Sequence, residues 1–174
     1  MKLNVKRTNE NHLRYADEIY GLMRTEEVAG VVKRSLEYLK WKIYNKEGII
    51  ALDSDDKLVG FCNLSTWDDG NFTEISSVII VPDYRGKGIS KQILSQVIDI
   101  VRSDNSETKI ITFALPNGPI LKSCSALGLV SETYEKLPLE EKFWHYCEGC
   151  KNHDVLIRNN KTRCLCKVMV LNRK

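Results

Sequence analysis

No window of the 174 residues approaches the ~20 consecutive apolar residues that a membrane-crossing helix needs. The N-terminus, MKLNVKRTNENHL, lacks the apolar centre of a signal peptide. Together these absences set the expectation of a cytoplasmic protein without membrane contact, where disulfides rarely persist. Internal repeats, low-complexity tracts and long linkers are also missing, so one domain spanning residues 1–174 is expected. Charge of one sign is not in excess: 26 Lys and Arg face 23 Asp and Glu, a net +3. That is too small to argue for a nucleic-acid partner, though it does not exclude one. Residues 136–174 hold nine Lys or Arg and four Asp or Glu, which reads as a solvated surface. Two phosphate-binding signatures are absent as well. Neither GxxxxGK[ST] nor GxGxxG fits the glycines at 86 and 88.

What remains is an ordinary globular composition, 43% apolar and 28% charged. Residues 3–8 can form a short strand. Leu13, Ala16, Ile19, Tyr20 and Met23 recur at helical spacing, as do Val28, Val32, Leu36, Leu39 and Ile43, with Gly30 as a break between the two helices. Strands follow over 48–54, 57–67 and 72–81, joined by turns at Ser54-Asp55-Asp56 and at 68–71. Residues 88–102 read as a helix and 109–115 as a continuous apolar, central strand. Pro116-Asn117-Gly118 opens another helix that ends near Gly128. The last strands are 129–137 and 163–171. The order β-α-α-β-β-β-α-β-α-β-β predicts an α/β fold, a mixed sheet with helices on both faces.

The segment VIIVPDYRGKGISKQIL, residues 78–94, carries the chemistry. A strand runs through a glycine-rich turn directly into a helix. Such a turn exposes backbone N–H groups at the helix N-terminus, which with the helix dipole bind phosphate. Gly86 and Gly88 permit positive φ and close approach of a ligand, and Arg85 and Lys87 add charge at the mouth. A plain strand-to-helix turn is the competing reading.

VPDYRGKGIS resembles the acetyl-CoA signature of the GCN5-related N-acetyltransferase (GNAT) family, [RQ]-x-x-G-x-[GA], with Arg85, Gly88 and Ser90 in its fixed places. Ser90 departs mildly from the Gly or Ala usual there. NGPILKSCSALGL, residues 117–129, resembles the family's second signature, with Asn117 and Gly128-Leu129 matched and Cys124 standing where the family has Tyr. The resemblance covers residues 1–137 and the last strand. It implies acetyl-CoA as cofactor and a primary amine, small-molecule or peptide, as acceptor, in a monomer or homodimer. It also implies that Val78, Ile79, Ile80 and Val81 bind the pantetheine arm beside a bulge that splays their strand from the next. Backbone N–H groups of Arg85, Gly86, Lys87, Gly88, Ile89 and Ser90 would hold the pyrophosphate, and Asn117 would touch the pantetheine or adenosine side.

Amide formation needs a neutral amine, and a lysine-like amine has pKa ~10.4, so a general base is required. Glu74, on the strand that approaches the thioester, is the candidate, against a surface glutamate. Cys124 is the candidate acid, against a buried structural thiol, with water or Tyr134 as substitutes.

Cys147, Cys150, Cys164 and Cys166 read Cys-x2-Cys-x13-Cys-x-Cys, the form of a structural zinc site. His145 and His153 are possible substitute ligands, and an iron–sulfur cluster, a redox pair or free thiols are the other readings. Zinc would tether an insert, residues 138–163, that is poor in large apolar residues, far from the acetyl-CoA turn. The reading is therefore an acetyltransferase domain. Its rival is a non-catalytic acyl-CoA-binding or interaction module whose Cys-rich insert binds protein or nucleic acid.

Overall fold

A computed structural model describes residues 2–25, 31–32, 34–138, 140–145 and 147–172. Val28 and Gly30, the latter expected as a helix break, lie outside the described residues. Seven strands form one sheet: β1 (Asn4–Arg7), β2 (Gly48–Leu52), β3 (Leu58–Trp67), β4 (Phe72–Ile80), β5 (Lys109–Ala114), β6 (Val130–Glu132) and β7 (Lys167–Leu171). Their order is β1-β2-β3-β4-β5-β7-β6. Only β4 and β5 are parallel; the other neighbours are antiparallel. The mixed sheet expected from the element order is thus present, with helices α1 (Ala16–Thr25), α2 (Leu36–Tyr44), α3 (Ile89–Asp104) and α4 (Ile120–Ala126).

Strand alternation decides which residues each layer receives. Phe61, Asn63, Ser65 and Trp67 of β3 share a face with their β4 partners Ile79, Ser76, Glu74 and Phe72. On this face Ile19, Leu39 and Ile43 of α1 and α2 pack on Ile50, Leu52 and Phe61. The opposite face packs Ile93 and Val97 of α3 and Cys124 of α4 over Ile49, Cys62 and Ile110. The α2 side also buries a charge. Lys42, 1% exposed, donates to Leu64 O at 2.9 Å, Ser65 Oγ at 2.8 Å and Glu47 Oε2 at 2.5 Å. All three ammonium hydrogens find acceptors, the condition under which a buried lysine is tolerated.

Local departures from the sequence reading have local causes. The first helix opens with a 3-10 turn, Glu10–Tyr15, because Asn9 and His12 close a capping box around it. The strand expected over 129–137 ends at Glu132 and passes into a 3-10 turn, Tyr134–Lys136. The final strand starts at Lys167, not 163, because β5 ends at Ala114, the partner of Lys167. Cys164 and Cys166 therefore precede the strand and do not ride its edge.

The segment between β6 and β7 folds into α5 (Glu141–His145) and α6 (His153–Arg158). Three of its large apolar residues are buried: Phe143 is 3% exposed, Trp144 9% and Leu156 1%, while Ile157 faces solvent. The buried three pack on Trp67, Phe72, Ile111, Val168 and Val170, on the same sheet face as α1 and α2. Phe143 meets Trp67 edge-on at 5.4 Å and Trp144 at 5.0 Å between ring centroids. Glu140 accepts from the Asp68 amide and returns its own amide to Asp68 Oδ1, tying the segment to the β3–β4 turn. The insert is thus packed onto the sheet by its own side chains.

Candidate active site

The parallel pairing of β4 with β5 runs Phe72↔Lys109, Thr73↔Ile110, Glu74↔Ile111 and stops. On the other side of β4 the register slips. Phe61 faces Ile79 and Asn63 faces Ser76, so three steps of β4 oppose two of β3. The extra residue is a bulge, which bends the strand that carries it. Ser77 within it has φ 51°, a left-handed conformation that costs a non-glycine of order 1–3 kcal/mol. β4 thus turns away from β5, and a gap opens toward the C-terminal ends of both strands.

A cavity of about 210 Å³ occupies this gap. Its floor is Asn63, Glu74 and Ser76. Arg34 and Tyr38 stand on the α2 side; Tyr134, Phe143 and His153 stand on the insert side. Ser77, Val78, Gly118 and Pro119 line it where the strands part. Glu74 is 7% exposed, and Trp67 Nε1 donates to its Oε2 at 3.2 Å. Burial raises its pKa above the usual carboxylate value, while the Trp67 bond and the charges of Lys42 and Arg34 act in the other direction. A carboxylate so placed is ready to take up a proton, which is the property a general base needs.

Beyond β4 the chain makes a 3-10 turn, Pro82–Tyr84, and reaches the glycines. Gly86 and Gly88 have φ 74° and 72°, and a Cβ at either would meet nothing within 4 Å. The left-handed geometry, not crowding, is what asks for glycine here. Gly88 is the N-cap of the 16-residue α3 and makes no side-chain cap bond, so backbone donors face outward from an exposed turn. Arg85 Nε donates to Ile80 O at 2.8 Å and Lys87 Nζ to Asp83 O at 2.9 Å, which fixes the stems of both side chains. Ile89 is buried in the α3 core. Ser90 Oγ lies 2.9 Å from Ser123 Oγ, so its hydroxyl is engaged with α4.

The other expected residues divide. Val78 lines the cavity, but Ile79 is in the core under α1 and α2. Ile80 is half-buried, and Val81 gives its amide to Val59 O at 2.9 Å. Asn117 is exposed in the turn before α4, beside the cavity-lining Gly118. Cys124 is 1% exposed in the core of the opposite sheet face, and burial pushes its thiol up to about 11. This placement corrects the expectation of an acid there: a protonated thiol packed among Ile93 and Val97 reaches no substrate. Tyr134 does line the cavity. Burial and the neighbouring thiols push its pKa upward, and its hydroxyl donates to Cys166 O at 3.0 Å.

Cys147, Cys150, Cys164 and Cys166 line the same cavity as Glu74. Burial pushes the Cys147 and Cys166 thiols up to about 12, with further upward pressure from the neighbouring sulfurs. Among the described residues, no group of three or more His, Cys, Asp or Glu is arranged to hold a metal ion. The zinc expectation is not supported. The sequence reading missed Arg34, Tyr38 and Asn63. Only Asn63 carried a signal, a lone amide inside the apolar strand KLVGFCNLSTW.

Residues 14–119 match the acetyltransferase (GNAT) family model. The uncharacterised N-acetyltransferase ycf52 of Pyropia yezoensis is 33% identical over 118 residues, 66% of this chain and 66% of its own length. The chain therefore aligns with just under two thirds of that relative. The fold is shared by N-acetylglutamate synthase from Neisseria gonorrhoeae complexed with coenzyme A and N-acetyl-glutamate, at TM-score 0.73 and 19% identity, covering 100% of this chain and 36% of that one. It is also shared by spermidine N-acetyltransferase from Vibrio cholerae in complex with CoA and spermine, at TM-score 0.65 and 16% identity, covering 98% and 95%. No helix among the described residues is long and apolar enough to cross a membrane.

Proposed function

The chain belongs to the acetyltransferase (GNAT) family, and from that membership we propose that it moves the acetyl group of acetyl-CoA to a primary amine by direct attack, with Glu74 as general base. The observation that carries the reading is the convergence of three features at one end of the sheet. The strands part, an exposed glycine turn caps α3 where β4 ends, and a buried carboxylate sits where the strands still touch.

In this reading the cofactor lies along the unpaired edge of β4. Its pyrophosphate takes the outward N–H groups of residues 85–90. Its pantetheine arm runs past Val78 as an added strand, and the thioester points at Glu74. The ammonium group of the acceptor gives a proton to Glu74. The freed lone pair attacks the thioester carbonyl, whose oxygen is stabilised by a backbone N–H of the bulged strand. The C–S bond breaks, and the nitrogen's second proton passes to the thiolate through Tyr134 or water, leaving a neutral amide. That the structural relatives hold coenzyme A together with small amines or an acetylated amino acid supports an acceptor of that size. The rival, a non-catalytic acyl-CoA-binding module, leaves the buried Glu74 without a purpose. Release of free thiol from acetyl-CoA, dependent on an added amine, tests the proposal. Tight acetyl-CoA binding with no thiol release across a broad amine panel would favour the rival.

A further inference from the structure

Two buried side-chain atoms among the described residues have no hydrogen-bond partner: Arg102 Nε and Asn63 Oδ1. Arg102 is served through its other nitrogens, which donate to Ser106, Thr108 and Asn172 carbonyls. Asn63 is different. It is 1% exposed, sits midway along β3 between Cys62 and Leu64, and lines the cavity. A folded chain does not leave a buried acceptor unpaired without penalty.

The register gives the orphan oxygen a purpose. Asn63 faces Ser76, and the next pair on the same sheet face is Ser65 with Glu74. Asn63 and Glu74 are therefore diagonal neighbours, roughly 7–8 Å apart at Cα, within reach of side chains that converge on one small group. We propose that Asn63 Oδ1 accepts an N–H of the acceptor's amine and selects nitrogen over oxygen at the attacking position. The inference rests on the reading of Glu74 as base.

The proton count makes the selection. An alkylammonium has three N–H bonds. One proton goes to Glu74, a second N–H stays on Asn63, and the lone pair left by the first turns toward the thioester carbon. As the C–N bond forms and the C–S bond breaks, the nitrogen sheds its remaining extra proton to the thiolate and is left as a neutral amide with one N–H. An alcohol has one hydrogen only. Once Glu74 takes it, Asn63 Oδ1 faces an oxygen lone pair, so the alkoxide is repelled where the amine is held.

The test compares the wild type with Asn63→Leu and Asn63→Asp, using n-butylamine, spermidine and L-glutamate as probes on the CoA-loaded protein. Thermal shift reads amine binding, and thiol release reads turnover. Leu removes the orphan acceptor at similar volume, so the melting temperature should hold or rise. Amine binding should nevertheless weaken about 10- to 100-fold, with acetyl-CoA affinity unchanged. Asp keeps an acceptor oxygen and should restore most of the amine binding. A Leu variant with wild-type amine affinity overturns the proposal, as does one that only loses stability. A wild type that binds none of the three amines overturns it too. Glu74→Gln separates the two assignments: full turnover in that variant beside lost amine binding in Asn63→Leu would reject the base and leave Asn63 standing.

Discussion

Replacing Glu74 by Gln keeps the acceptor oxygen for Trp67 Nε1 and removes only the ability to hold a proton as a carboxylate does. At pH 7 an alkylamine of pKa ~10.4 is neutral in about one molecule in 2,500. A base that relieves this restriction therefore contributes at most ~10³-fold, inside the 10²–10⁴ range of general-base catalysis. That corresponds to about 4–5 kcal/mol of barrier. The variant should lose this activity at pH 7 and regain it roughly tenfold per pH unit as the amine deprotonates unaided, while acetyl-CoA affinity holds. Stability should move the other way. Burial raises the folded pKa of Glu74 above its ordinary carboxylate value, so the native state keeps its proton where the unfolded chain has released it. Wild-type stability consequently falls as pH rises through that interval. The Gln variant escapes this loss and should melt above the wild type at pH 7, with the two converging below pH ~4. Thiol release across pH, paired with melting curves at pH 4 and 7, measures both halves. Wild-type turnover at pH 7, or a Gln variant that melts lower there, would refute the reasoning.

Three further outcomes follow from the same geometry. Gly88→Ala should cost about 1–2 kcal/mol from its left-handed φ of 72° yet still bind acetyl-CoA, whereas Gly88→Glu should abolish binding by placing a carboxylate against the pyrophosphate. Calorimetry on folded protein separates them, and equal affinity in both would sink the pyrophosphate site. Phe143→Ala should destabilise by about 3–5 kcal/mol because Phe143 joins Trp67 to Trp144. Cys150→Ser should fall within about 0.5 kcal/mol, and denaturant midpoints showing the reverse ranking would restore a metal-held insert. Tyr134→Phe should lower turnover about tenfold without weakening acetyl-CoA binding; an unchanged rate assigns the proton to water.

Most helices and strands of residues 3–128 were legible because their apolar periods are long and their breaks carry Gly, Pro or Asp, but the helix read from Val28 is seen from Leu36, with Val32 outside it. The glycine turn was legible for the same reason: a strand, two glycines and an amphipathic run leave one local geometry. Glu74 could be placed on its strand, but its burial could not, since that depends on Trp67 and on an insert seventy residues away in sequence. The packing of the insert was not legible either. Phe143 and Trp144 are adjacent and show no period, so only tertiary packing reveals that both point inward. The cysteine spacing suggested a metal, yet spacing says nothing of where two loops meet. They meet on the wall of the cleft. Cys124 matched a motif position, but α4 turns that position into the opposite core.

The central step is acetyl-CoA giving up its acyl group to an amine in this cleft. Incubating the protein with acetyl-CoA and a panel of primary amines, then following free thiol together with the mass of the amine, measures that transfer. Thiol and acetylated amine should appear in equal amounts, with Gly88→Glu and Glu74→Gln each suppressing both. Thiol released without an acetylated amine, or acetylated amine formed equally by all three proteins, would contradict it.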